Sequence, residues 1–153
     1  MIRTDRGDRR RATALVETAI RGEHAGVGVL LLDGRGKTLG ALSAPARRAD
    51  AQSLPFEGIG AALRLATGLG LGPVVVHVPD GQALAQIEGR APLAETTRSG
   101  CLSVRALMHA LPGARLRPAR RGRNAYAASL ARAAATPQPM AEGDRAVLPL
   151  DAA

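Results

Sequence analysis

The sequence is poor in aromatic residues: among 153 residues Phe56 is the only phenylalanine, Tyr126 the only tyrosine, and tryptophan is absent. Proteins that hold single strands without sequence preference stack bases on aromatic side chains, so the platforms for that mode are missing. The core has to be assembled from Val, Leu, Ile and Ala instead. Cysteine is confined to Cys101, which excludes an internal disulfide and a cysteine-based zinc cage and suits a reducing compartment. No apolar run reaches the roughly 20 residues that span a bilayer. The charged start, Met1 to Arg11, has no apolar segment behind it of the kind a signal peptide needs. These absences predict a soluble, cytoplasmic chain with no membrane partner. Lysine is nearly missing too, since Lys37 is the one exception among 21 basic residues.

What is present is arginine, and a formal net charge of +8. A GC-rich genome explains arginine over lysine but not the net charge. The planar guanidinium donates two parallel hydrogen bonds to phosphate, so the excess predicts an anionic partner, nucleic acid first. The length fits one domain. Residues 1–11 read as a basic flexible arm, 12–135 as the folded domain, and 136–153, with Pro137, Pro139 and Pro149, as an irregular extension.

Within the domain the periodicities are ordered. Ala12 to Ile20, Val27 to Leu32 and Lys37 to Ser43 are apolar runs, the last two separated by Asp33-Gly34-Arg35-Gly36. That pattern predicts three consecutive antiparallel strands with a hairpin turn at Asp-Gly. Ser53 to Leu69 spaces Phe56, Ile59, Leu63 and Ala66 along one helix face. Ser53 or Leu54 is its cap, Pro55 sits in the first turn, where proline is tolerated, and Gly70 ends it. Pro73 to Val78 is continuously apolar, as a strand covered on both faces should be. A short helix over 81–89, a longer one over 94–111, a strand over 114–119, a basic loop over 120–123 and an Ala-rich helix over 124–135 complete the order.

Three strings give this order a family likeness. Leu15 to Leu39 places Glu17 in the first strand, followed by a Gly-x-Gly-Val entry (Gly26, Gly28) into the second. Val76 to Gly89 carries Asp80 at a strand exit before a short helix. Arg120 to Ala134 joins a basic loop with Asn124 to an Ala-Leu-Ala helix. Across residues 12–135 the chain resembles the ribonuclease H-like superfamily, and most of all its reverse-transcriptase-like branch. The resemblance implies an α/β fold with a five-stranded mixed sheet, three antiparallel strands then two parallel, flanked by helices.

It also implies a chemistry. The family hydrolyses phosphodiesters of RNA/DNA hybrids with two Mg²⁺ or Mn²⁺ ions held by a cluster of Asp and Glu. Glu17 and Asp80 fall on two of the four carboxylate positions, whereas Pro55 and Ala128 occupy the other two. Metal binding is therefore expected to be weak or lost, with Glu17 and Asp80 as its remaining ligands and catalytic residues. Glu57 is the doubtful substitute: two residues beyond Pro55, it lies about 200° around the helix. A competing role for Glu57 is to oppose the positive end of the helix dipole, and for Asp80 to cap the next helix.

The remaining chemistry-bearing residues stay bland. His24, His77 and His109 are isolated, His77 as a core histidine within a strand. Ser53, Ser99 and Cys101 have no neighbouring base. Gly68 to Gly72 follows a helix rather than a strand, so it is not a dinucleotide-binding loop. Arg115, Arg117, Arg120, Arg121 and Arg123 form a cluster with no acidic residue between Glu95 and Glu142, and are expected to position nucleic-acid phosphates. A solvated basic face is the alternative. Three functions stay open: a nucleic-acid binder of degraded activity, a working Mg²⁺/Mn²⁺ ribonuclease using Glu17, Asp80 and Glu57, and a scaffold that homodimerises through 114–119 or 94–111.

Overall fold

The computed structural model describes residues 11–47, 50–120, 122, 124–137 and 146–148. The expected basic arm therefore lies outside the described residues apart from Arg11. Strands β1 (Ala12–Arg21), β2 (His24–Asp33) and β3 (Thr38–Pro45) form the antiparallel meander that their apolar runs predict. Helix α1 (Leu54–Gly68) leads to β4 (Val74–Val78). Then come α2 (Gly81–Ile87), α3 (Glu95–Ala110), β5 (Arg115–Pro118) and α4 (Ala125–Ala134). β4 pairs parallel with β1, and β5 parallel with β4. This is the five-stranded mixed sheet flanked by helices that the resemblance implies. A sixth short strand, β6 (Ala146–Leu148), pairs antiparallel with β3, so the order is β5-β4-β1-β2-β3-β6. The extension expected to be irregular thus contributes one element to the sheet.

The turn between β2 and β3 is wider than a two-residue Asp-Gly hairpin. One carboxylate oxygen of Asp33 accepts from the amides of Arg35 and Lys37, each at 2.8 Å. Gly36, not Gly34, takes the left-handed conformation, at φ 81°, where glycine escapes the Cβ penalty. Helix α1 starts at Ser53 with no side-chain cap bond. The Ser53 hydroxyl instead lies 3.4 Å from the Thr96 carbonyl, at the start of α3.

Strand alternation sorts the sheet into two faces. Ala14, Val16, Val27, Val29, Leu31, Val74 and Val76 point to one side, where Phe56, Ile59 and Leu63 of α1 and Val104 of α3 cover them. Leu15, Leu30 and Ala41 point to the other, against Ala127 and Leu130 of α4. Helix α4 sits unusually close, and glycine is the reason. A Cβ on Gly26 or Gly28 would collide with backbone atoms of Ala131, Ala135 and Ala127. Ala127, Ala131 and Ala135 recur every four residues and are fully buried, and it is the helix backbone at these small residues that lies on the two glycines. The Ser43 hydroxyl donates to the Leu130 carbonyl at 2.7 Å and fixes α4 along the sheet.

Candidate functional site

Three parallel strands, β1, β4 and β5, end at the same edge of the sheet. In open α/β sheets, ligands bind beyond the carboxyl ends of strands. Leu15 is level with His77, so Glu17 on β1 and Asp80, just after β4, arrive at the same height. They line one groove of about 420 Å³ together with Thr18, Ile20, Leu54, Pro55 and Pro79. The strand register alone brings these carboxylates together, across more than 60 residues of chain.

Each carboxylate is already occupied in a different way. Asp80 is the N-cap of α2, and its Oδ1 accepts from the Ala83 amide at 2.9 Å. The capping role is therefore real, and satisfies one of the free amides at that helix end. Glu17 is half-buried, and burial raises its pKa above the usual carboxylate range, opposed by a hydrogen bond from Asn124, the charge of Arg132 and the backbone at Thr18. Loss of water disfavours the ionised form more than these partners restore it.

Asn124, part of the closing string that carries the family likeness, was not expected to act at the site. It stands at the N-terminal end of α4 yet makes no capping bond. Its side chain is buried and turns inward, donating to the Val16 carbonyl at 3.1 Å, while its Oδ1 has no hydrogen-bond partner. Its place in the family-like string, at the start of an otherwise apolar-faced helix, is the sequence signal that could have pointed to it. It ties the start of α4 to the β1 segment that carries Glu17.

The remaining expected residues divide among places. Pro55 faces the Glu17–Asp80 groove, whereas Glu57 lines a separate groove on the far side of α1, beside Arg47, Arg64 and Phe56. The Glu57 Oε2 accepts from the Arg47 amide at 3.0 Å. The two-residue offset around the helix separates them as its pitch requires. Ala128 lies on α4, its amide bonded to the Asn124 carbonyl at 2.9 Å. Among the described residues, no three of His, Cys, Asp and Glu gather where they could hold a metal ion. Two carboxylates, one of them committed to a helix cap, do not fit a two-ion centre, which needs several oxygen donors for each cation.

Arg120 is exposed and follows Ala119, whose amide continues the ladder to the Val78 carbonyl at 3.0 Å. That places the Arg120 backbone beside the Pro79–Asp80 exit. Arg121 and Arg123 lie outside the described residues. Arg115 and Arg117 line a third groove, between β5 and α3, together with Glu88, Met108 and His109. His77 sits midway along β4, and His24 and His109 are exposed. Cys101 lies on the buried face of α3, its Sγ 3.7 Å from the Gln86 carbonyl. No described helix is long and apolar enough to cross a membrane.

The model of a family described as reverse transcriptase-like matches residues 16–134. No curated protein matches the chain. Among solved structures, ribonuclease H1 of the archaeon Halobacterium salinarum superposes with a TM-score of 0.76 at 23% identity, over 81% of this chain and 96% of that one. The N-terminal ribonuclease H domain of a Mycobacterium tuberculosis protein gives 0.74 at 22%, over 82% and 99%. A ribonuclease H1 from a compost metagenome, solved in complex with an RNA/DNA hybrid, gives 0.74 at 23%, over 81% and 96%. At these identities the likeness concerns the fold.

Proposed function

The chain belongs to the reverse-transcriptase-like family of the ribonuclease H-like superfamily, and from that premise we propose that it binds an RNA/DNA hybrid or duplex with hydrolysis weak or lost. The observation that carries this reading is the lining of one groove. Glu17 and Asp80 share it with Pro55, which brings no oxygen to the helix position where the family places a carboxylate. Ala128 brings none from α4. With two side-chain carboxylates instead of four, the site is short of the negative charge that lets two divalent cations approach one another.

Positive charge is present where two of the four carboxylates are not. Arg120, at the rim, is available to a phosphate, and such contacts position a duplex without reading its sequence. Arg121 and Arg123 continue the same basic loop in sequence. A structural neighbour is known bound to an RNA/DNA hybrid, which supports the hybrid as the first ligand to try. Where a Mg²⁺ or Mn²⁺ ion does bind, Glu17 and Asp80 are its ligands in this reading, and a single such ion would act as a Lewis acid on one phosphate oxygen.

The test joins binding with cleavage. Hybrid, DNA duplex and single strands are titrated at two salt concentrations, and hybrid is incubated with Mn²⁺. Salt-sensitive binding without turnover is expected, and returning the carboxylates as Pro55→Glu with Ala128→Asp should raise both Mn²⁺ affinity and cleavage several-fold. Absence of binding to every nucleic acid would sink the proposal. Cleavage by the native chain that Asp80→Asn abolishes would establish instead the working ribonuclease.

A further inference from the structure

The groove between β5 and α3 is separate from the one that holds Glu17 and Asp80, and measures about 840 Å³. Its floor is the outer strand of the sheet, since β5 ends the strand order and pairs on one side only. Leu116 packs on the α1/α3 side of the sheet, and Arg115 and Arg117 alternate with it, so both guanidinium groups leave the opposite face of this edge strand, the face of His77, and border the groove only at its rim. Both are exposed, and neither has a hydrogen-bond or ion-pair partner among the described residues. Arg105, on the opposite wall, is committed: it donates to the Gln86 and Ile87 carbonyls at 3.0 and 3.1 Å and closes the end of α2. Glu88, the one carboxylate in the lining, is held by Arg90 at 2.8 Å. The charge this edge of the sheet offers to a ligand is therefore the guanidinium pair on the face away from α3, and it is positive.

We propose that Arg115 and Arg117 form a second phosphate-binding stretch for the nucleic acid engaged at the Glu17–Asp80 groove, which rests on the reading given under Proposed function. The register sets the distance. Arg117 pairs with His77 and Arg115 with Val75, so Arg115 lies five residues behind the level of Asp80, about 17 Å at the usual rise of a strand. A nucleic-acid strand covers that span in about five nucleotides. An acidic peptide adding a strand to β5 is the poorer occupant: the edge is four residues long, and Pro118 offers no amide hydrogen.

The proposal predicts a length dependence that a general basic surface does not. The full chain is titrated with labelled RNA/DNA hybrids of about 4 base pairs, the two strands joined by a non-nucleotide linker so that they stay paired, and about 18 base pairs; at about 14 Å the shorter does not reach from one site to the other. Arg115→Ala with Arg117→Ala is compared with Arg115→Lys with Arg117→Lys; all four changes are at exposed positions. For the long hybrid, the alanine pair should flatten the dependence of log affinity on log salt by about 2, and weaken binding at least about tenfold near 0.1 M salt. The lysine pair should retain the native slope, and the short hybrid should bind all three proteins alike. An unchanged slope with the long hybrid, or equal losses with both lengths, overturns the proposal. So does loss of polyglutamate binding in the alanine pair with hybrid binding intact. If the native chain binds no hybrid, the proposed function falls as well; if it binds and the alanine pair matches it, this inference alone is wrong.

Discussion

Replacing Gly28 with alanine adds one methyl group where α4 crosses β2. The new Cβ would overlap the Ala127 carbonyl and lie 2.6 Å from the Ala131 nitrogen and 2.9 Å from the Leu130 Cβ. The first two obstacles are helix backbone, which has no rotamer to swing aside. Helix α4 has to withdraw by roughly 1 Å to regain van der Waals spacing, and gaps of that size forfeit a quarter to a half of each contact left behind. Overpacking of this kind costs about 1–3 kcal/mol, and the upper half applies because Ala127, Ala131 and Ala135 are fully buried small residues that cannot reach back across the gap. For a domain of this size that is a loss of about 6 °C in melting temperature. Urea denaturation with an unchanged m-value would show the deficit as a lower midpoint. Gly68→Ala is the control: Gly68 ends α1 and a Cβ there meets nothing within 4 Å. It should be neutral or stabilise by up to about 1 kcal/mol. Equal midpoints for Gly28→Ala and the native chain would refute the close-packing argument.

Two further expectations concern the carboxylate groove. Burial raises the Glu17 pKa above the ordinary glutamate value of 4.5, so the folded protein holds this proton more tightly than the unfolded chain does. The stability linked to it is complete below 4.5 and is lost as pH rises through the higher folded value. Glu17→Gln should therefore melt above the native protein at pH 8, with the difference vanishing below pH 4.5; a variant less stable at every pH would contradict this sign. Asn124→Ala removes the donor to the Val16 carbonyl and should cost about 1–3 kcal/mol. The same change takes away a hydrogen bond that favours ionised Glu17, so its deficit should be larger at pH 8 than at pH 4. Equal deficits would mean that Asn124 supports only the backbone.

Much of the fold was written in short-range patterns. The apolar runs of β1 to β3 and the helical spacing of Phe56, Ile59 and Leu63 locate elements because the side-chain periods of 2 and 3.6 residues are set locally. The Gly26-x-Gly28 pair and the alanines of α4 were visible as separate oddities. That they fit together is a tertiary fact, since nothing in either string says which helix crosses which strand. The turn at Asp33 shows the limit from the other side: two glycines were available, and the Asp33 carboxylate bonds decided that Gly36 takes the left-handed place.

The candidate site divides along the same line. The sequence by itself determined the inventory: Glu17 and Asp80 at strand ends, Pro55 and Ala128 without carboxylates, a cysteine and aromatic content too small for other chemistries, and an arginine excess with no acidic residue after Glu95 until Glu142. Helical pitch separated Glu57 from Pro55 in advance, because it depends only on counting residues. Tertiary structure decided what no count contains. The parallel register of β1 with β4 placed Glu17 and Asp80 in one groove, and the edge position of β5 put Arg115 and Arg117 at the rim of another. Asn124 was drawn inward to Val16 although its place at a helix start suggests a cap. Register, edge and burial are properties of chain segments meeting across long sequence separations, so they exist only once the sheet has formed.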